Sequence, residues 1–309
     1  VRTAFIETLV EIAERDPRVM LLTADLGYSV LERFAQRFPD RYLNVGVAEQ
    51  NMVGVATGLA EAGRIPFVYS IATFATLRPF EFIRNGPIAH NLRVRVVGIG
   101  GGFEYGHNGL SHFALEDIAM MRTQPSMAVF APADAAQARN ALLATWEREG
   151  PAYYRLGKND HASIPALNGN FAVGHAQLLG SESEFLLIAT GAASVNAAAA
   201  LDELTADSIP ARLIIVDQFN TGELEGIREA LNHAKFAVTL ESHYVNGGLG
   251  SYVAEMIAEE GLACRIVRRG VTSTPAGICG SERYMNERYG MLPHQIASVV
   301  RDECRKHSR

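Results

Sequence analysis

Short apolar runs alternate with stretches of helical spacing along almost the whole chain. In the first half the runs fall at 19–22, 66–69, 94–97, 127–130 and 153–154. Between them apolar residues return every three or four positions, as in Phe5/Leu9/Ile12, Met52/Val55/Leu59 and Ala138/Leu142/Trp146. The short runs read as strands and the 3.6-residue periodicity as amphipathic helices. Strict strand-helix alternation predicts a mostly parallel sheet covered by helices on both faces. The pattern lapses between Lys158 and Gly174, where Asn, Asp, Ser, Pro and Gly gather as in a linker. It then resumes, with strands predicted at 185–188, 212–216, 236–240 and 265–267. Helices are predicted at 194–204 and 249–257, and one long terminal helix from about 286 to 304. The expected fold class is α/β, with two such domains at 1–165 and 175–309.

Composition narrows the function more than the fold. The chain has 309 residues, 28 Lys+Arg against 34 Asp+Glu, and a formal net charge of −6. That balance argues against a nucleic-acid binder, which presents a basic face. The small basic clusters, Arg268-Arg269 and the tail 301–309, read as solvated ends. The most apolar stretch, 185–201, is broken by Thr190, Gly191, Ser194 and Asn196, so no membrane span is expected. The first 20 residues lack a signal-peptide pattern. Cys264, Cys279 and Cys304 cannot all pair and have no metal-ligand spacing, which fits a reducing, cytoplasmic setting.

The most informative stretch is Asn44-Val45-Gly46-Val47-Ala48-Glu49-Gln50-Asn51-Met52, which opens a helix rich in small residues. Gly54 and Gly58 lie four apart and share a face, inviting close helix contact at a subunit interface. Glu49 sits in the first turn among Val, Gly and Ala. Its charge suits a helix N-terminus, and a carboxyl in apolar surroundings also suits proton chemistry. Further on come Ala24-Asp25-Leu26 with Ser29, Thr73-Phe74, and Asn108-Gly109-Leu110-Ser111-His112 followed by Glu116 and Arg122.

Together these segments resemble the pyrimidine-binding domain of transketolase and deoxyxylulose-phosphate synthase. The likeness rests on Arg2 before the first helix, the Asp25 segment, Val45 to Gln50 with Gly58-Leu59-Ala60, Thr73-Phe74 and the His112 block, all in family order. Glu241-Ser242 and Gly247-Gly248-Leu249-Gly250-Ser251 resemble the family's C-terminal domain, less specifically.

The resemblance implies thiamine diphosphate as cofactor. By it, Glu49 is the carboxyl that hydrogen-bonds the aminopyrimidine and favours the tautomer able to act as base. Phe74 packs on that ring, though on its own it also reads as core. Leu77 and Phe80 fall where transketolases place further aromatics, and only Phe80 keeps the type. Ile71 lines the same pocket. Asp25 and Leu26 approach the cofactor across the subunit interface; Asp25 alternatively caps the helix that follows. His112 faces the substrate and shares in proton transfer. Its spacing from Glu116 also fits a metal pair, but no third ligand is apparent. Arg2, Ser29 and Lys158 match the group that holds a substrate phosphate, each otherwise a surface polar residue. Asn108 stands where transketolases have an aspartate on the substrate hydroxyls, and Gly100 where they have another histidine. Lys158 replaces an arginine and loses its bidentate fork. These departures bear on the identity of donor and acceptor.

Family members bind Mg²⁺ and diphosphate through a Gly-Asp-Gly segment, and this chain contains none. Its length matches two of the three transketolase domains. It therefore resembles the C-terminal subunit of a split transketolase, whose N-terminal partner chain brings the Mg²⁺–diphosphate site in an α₂β₂ assembly. The other possibility is a piece of a longer enzyme. The implied reaction moves a two-carbon ketol unit from a ketose, expected as a phosphate, to an aldehyde. An alternative is a 2-oxo-acid dehydrogenase-like beta chain, or a hybrid that passes the unit to a lipoyl carrier; ketose phosphates against pyruvate as donor separate these. An alternative of another class is a non-catalytic scaffold, which has no need of Glu49, Phe74 and His112 together.

Overall fold

The apolar runs of the first half form strands buried along their whole length, as a sheet covered on both faces requires. The computed structural model describes residues 1–307. The first unit comprises α1 (Arg2–Arg15), β1 (Val19–Thr23), α2 (Glu32–Arg37), β2 (Tyr42–Asn44), α3 (Glu49–Glu61), β3 (Ile65–Ile71), α4 (Ala72–Thr76), α5 (Phe80–Ile83), β4 (Arg95–Ile99), α6 (Asp117–Arg122), β5 (Ala128–Phe130), α7 (Ala135–Thr145) and β6 (Ala152–Leu156). The second comprises β7 (Gln177–Leu179), β8 (Phe185–Ala189), α8 (Ala193–Ala206), β9 (Arg212–Ile215), β10 (Gln218–Phe219), α9 (Ile227–His233), β11 (Phe236–Tyr244), α10 (Leu249–Glu260), β12 (Arg265–Val271), α11 (Glu282–Arg288) and α12 (Pro293–His307).

The first sheet has the order β10-β5-β6-β4-β3-β1-β2 and the second β12-β11-β8-β9-β7. Pairing is parallel throughout except for β10 on β5 and β7 on β9. The two-domain α/β class expected from the alternation is the class observed. Helices α1 and α7 cover one face of the first sheet through Phe5, Leu9, Ala138 and Leu142. Met52, Val53 and Ala56 of α3 cover the other, against Met20, Leu22, Val68 and Val96. In the second unit α8 and α12 share one core cluster with β8, β9 and β11.

Three features differ from the pattern-based expectation. Strand β10 lies beyond the linker yet joins the first sheet, Gln218 opposite Phe130 and Phe219 opposite Val129. Two residues carry no periodicity, so only tertiary pairing reveals it. The terminal helix is two helices: Gly290 takes a left-handed φ of 69° and Pro293 opens α12. Arg95, in the middle of an apolar run, is fully buried; its guanidinium donates to the backbone oxygens of Trp146, Arg148 and Gly150 beyond the end of α7.

The two units are tied by a buried polar network. Arg155 of β6 pairs with Asp117 at 2.7 Å, and its Nη2 donates to the carbonyls of Ala114 and Ser242 at 3.1 and 2.7 Å. Tyr153 donates its hydroxyl to the same Asp117 carboxylate at 2.6 Å. Both bonds fall on Asp117 Oδ2, and its Oδ1 is buried without a hydrogen-bond partner among the described residues.

Candidate functional site

The site grows from the C-terminal ends of the parallel strands, where α/β sheets bind ligands. The chain leaves β2, turns through Gly46 at a left-handed φ of 73°, and starts α3 on Glu49. The helix N-terminus favours a carboxylate there. Glu49 is only 3% exposed. Both its oxygens accept from Arg78 Nη1, at 2.8 and 2.9 Å, and Ser70 Oγ donates to Oε1 at 3.4 Å.

Strand β3 ends at Ile71 and α4 begins at once, which brings Phe74 and then Arg78, four residues later, to the same side. The Arg78 guanidinium carbon lies 3.8 Å from the Phe74 ring centroid. Phe74 in turn meets the edge of His112, ring centroids 5.0 Å apart at 66°. His112 closes a single helical turn that Gly109 enters at a φ of 77°. Its Nδ1 is 3.0 Å from Ser111 Oγ, which leaves Nε2 as the ring nitrogen available to another partner. Burial and the nearby Arg78 cation hold the His112 imidazole below its ordinary pKa, so it is neutral at pH 7.

Tyr105 continues the line, 6.4 Å from His112 between centroids, and Lys158 Nζ lies 4.4 Å from its ring centroid. The charge of Arg2 acts on both Tyr105 and Tyr69, and its Nε lies 3.7 Å from Asp160 Oδ2. Glu49, Arg78, Phe74, His112, Tyr105 and Lys158 thus form one continuous wall. It runs from a buried carboxylate, over stacked rings, to a cationic end.

The structure does not bring every expected residue to this wall. Asp25 is exposed with a φ of 57°, and exchanges hydrogen bonds with Asn44 at 3.0 Å each way. Nor does it cap α2: Glu32 Oε1 instead accepts from the Ser29 amide at 2.7 Å. Ser29 lines a surface depression with Thr3, Ile6, Glu7 and Arg33 on the α1 side. Leu26 and Leu77 are at least partly exposed, Ile71 is buried at the end of β3, and Asn108 is exposed in the turn before Gly109. Phe80 is not beside Phe74; it lines a groove between the two units with Arg122, Asn220 and Tyr252. His112 and Glu116 do not share a helix, because Glu116 is the N-cap residue of α6 and accepts from the Leu115 amide at 3.1 Å. Arg122 reaches the second unit, donating to the Gly247 carbonyl at 3.0 Å and pairing with Glu255. Among the described residues no three His, Cys, Asp or Glu side chains are grouped to hold a metal ion.

Arg78 and Tyr105 were not singled out from the sequence. The i,i+4 spacing of Phe74 and Arg78 was a usable signal. Tyr105 had only an indirect one, Gly100, whose missing side chain leaves the room that Tyr105 fills. In the second unit His243 is structural: fully buried, with Nε2 accepting from the Ala119 amide at 3.3 Å. Glu241 caps α10, accepting from Leu249 and Gly250 amides at 2.6 and 2.8 Å.

The transketolase pyrimidine binding domain family matches residues 1–162, and the transketolase C-terminal domain family matches residues 174–296. The chain belongs to the transketolase family. It is 35% identical over 308 residues to the putative transketolase C-terminal section of Methanocaldococcus jannaschii, covering 99% of this chain and 96% of that protein. It is 34% identical over 303 residues to the 6-deoxy-6-sulfo-D-fructose transketolase subunit SqwH of a Clostridium species, covering 97% and 93%. Among solved structures it is similar to a split gene transketolase described as an inactive beta4 tetramer: 36% identity, TM-score 0.83, 97% of this chain and 96% of that one. Transketolase from Campylobacter jejuni, 19% identical with a TM-score of 0.81, shares the fold, and this chain spans 46% of it. This transketolase-family chain therefore corresponds to the C-terminal subunits of split transketolases, a group of transferases, over nearly their full length.

Proposed function

We propose that the chain is the C-terminal subunit of a thiamine-diphosphate-dependent transketolase, acting with an N-terminal partner chain. The observation that carries this reading is the Glu49–Arg78–Phe74 sandwich. A flat, N–H-donating group sits on the Phe74 face and binds both oxygens of a buried carboxylate. Those are the demands of an aminopyrimidine edge and face, so the residues present fit the cofactor. When bound, thiamine diphosphate supplies the carbon nucleophile that breaks the ketose carbon-carbon bond. Glu49 holds the pyrimidine edge and its tautomer, Phe74 takes the ring face, and Ile71 and Leu77 flank it. Across the subunit interface, Asp25 and Leu26 complete the pocket's surroundings. Neutral His112 exchanges a proton with a substrate oxygen through Nε2, with Asn108 near the sugar hydroxyls.

Mg²⁺ and the diphosphate are assigned to the partner chain, in an α₂β₂ assembly. The exposed face of α3 offers close approach, since a Cβ at Gly58 would meet nothing within 4 Å and one at Gly54 only Phe82. The substrate is a sugar with an anionic end, held by Arg2 and Lys158. Relatives named for 6-deoxy-6-sulfo-D-fructose and for apulose-4-phosphate act on sugars of that kind. The three cysteines fit a cytoplasmic setting.

The test is to purify the chain with its partner and assay ketose phosphates against pyruvate. Turnover of ketose phosphates with an aldehyde acceptor supports transketolase; a preference for pyruvate points to the dehydrogenase-like alternative. Glu49→Gln, shown folded by circular dichroism, is expected to abolish turnover. Undiminished activity in that variant would sink the assignment and leave the chain a scaffold.

A further inference from the structure

We propose that Tyr105 is the specificity-determining residue of this pocket, its phenol hydrogen-bonding the phosphate or sulfonate end of the sugar while its ring presents Lys158 to the same group. The inference rests on the transketolase reading above and adds a residue to it.

Gly100 and Tyr105 are a matched pair. Gly100 takes a left-handed φ of 77°, and a Cβ there would lie 2.2 Å from Tyr105 Cε2 and 2.4 Å from Cδ2. The ring occupies the space that any side chain at position 100 would need. The same ring neighbours His112, centroids 6.4 Å apart, and carries Lys158 Nζ 4.4 Å from its centroid. The Lys158 ammonium sits over the ring, where a cation is attracted to the aromatic face. That contact narrows the range of a long, exposed side chain and keeps its charge at the pocket's cationic end.

The phenol itself is uncommitted. Among the described residues its oxygen has no hydrogen-bond partner, although the ring is half-buried. Burial pushes the phenol's pKa up, so the hydroxyl remains a proton donor at neutral pH. A neutral donor under the Lys158 ammonium, and within the field of an Arg2 that also pairs with Asp160, is matched to an anion with several acceptor oxygens. A neutral sugar end gains little from the same set. His112 and Lys158 both neighbour the Tyr105 ring, so a substrate that touches both also comes beside Tyr105.

The test uses the assembled enzyme with Tyr105→Phe and Tyr105→Leu, and three donors: a ketose phosphate, a ketose sulfonate and the unsubstituted ketose. Tyr105→Phe removes the hydroxyl and keeps the ring. It is expected to lower kcat/KM for the anionic donors about tenfold, through KM, and to leave the neutral donor within about twofold. Tyr105→Leu also frees Lys158 and should lose several-fold more. Comparable losses on charged and neutral donors, or none on either, would overturn the proposal. Phosphate and sulfonate donors responding differently to Tyr105→Phe would tell which end group the pocket is built for. A wild-type enzyme inert toward every ketose would refute the transketolase reading. Tyr105 is then judged by titrating inorganic phosphate into the full chain: weaker binding in Tyr105→Phe upholds the anion contact, and unchanged binding rejects it.

Discussion

Removing Arg78 is the sharpest perturbation of the candidate site. Glu49 is 3% exposed, whereas the Arg78 side chain is 44% exposed, so the pair is buried at one end and wet at the other. A hydrogen bond to a charged group contributes about 1.5–3 kcal/mol, and a fully exposed ion pair about 0–1. The half-buried geometry places the Glu49–Arg78 coupling between these, at about 1–2 kcal/mol. Arg78→Leu alone should cost more, about 2–4 kcal/mol, because the buried carboxylate keeps only the 3.4 Å bond from Ser70 and the Phe74 face loses its cation. Glu49→Gln should cost less, since an amide can still accept from the guanidinium. The assay is urea unfolding of the wild type, Arg78→Leu, Glu49→Gln and the double variant at one pH. The cation-π loss is common to both Arg78 arms and cancels in the double-mutant cycle. The reasoning fails if the double variant is as unstable as the sum of the singles, within about 0.5 kcal/mol.

Two predictions concern protonation. Arg78→Leu also removes the cation that helps depress the His112 pKa, so the imidazole should titrate at higher pH; an unchanged titration by NMR would mean that burial alone sets it. Burial pushes the Glu241 carboxyl up to about 7, despite two backbone donors, and Asp217 likewise to about 7. Unfolded, both ionise near ~4. The folded chain therefore holds these protons between roughly pH 4 and 7, and this contribution to stability is lost as pH rises through about 7. Asp160, held at about 2 by the Val1 amine and Thr3, works in the opposite sense only at much lower pH. Urea midpoints should fall from pH 5.5 to 7.5, and Glu241→Gln should flatten that slope. A midpoint that rises over this interval would contradict the assignment.

Most of the fold was legible along the chain because its cause is local. Strands buried on both faces must be apolar throughout, and helices covering them must repeat every 3.6 residues. The elements that escaped are those whose stability comes from elsewhere. Gln218-Phe219 is a strand only because β5 offers it an edge. Arg95 interrupts an apolar run and is tolerated because three backbone carbonyls beyond α7 surround its charge. The terminal break is present in the sequence as Gly290, which takes a left-handed φ, and Pro293, which opens the last helix.

The site divides in the same way. Glu49, Phe74 and His112 stood out in their own short segments, which resemble a known family. That membership was determined by the sequence itself. Only the tertiary structure decided that Arg78 joins Glu49 to Phe74, that Tyr105 fills the space opposite Gly100, and that Phe80 faces the groove between the units. Spacing along a chain reports which residues share a face of one element. Which group completes a buried carboxylate's hydrogen bonds, or occupies the room a glycine leaves, depends on segments tens of residues apart meeting in space.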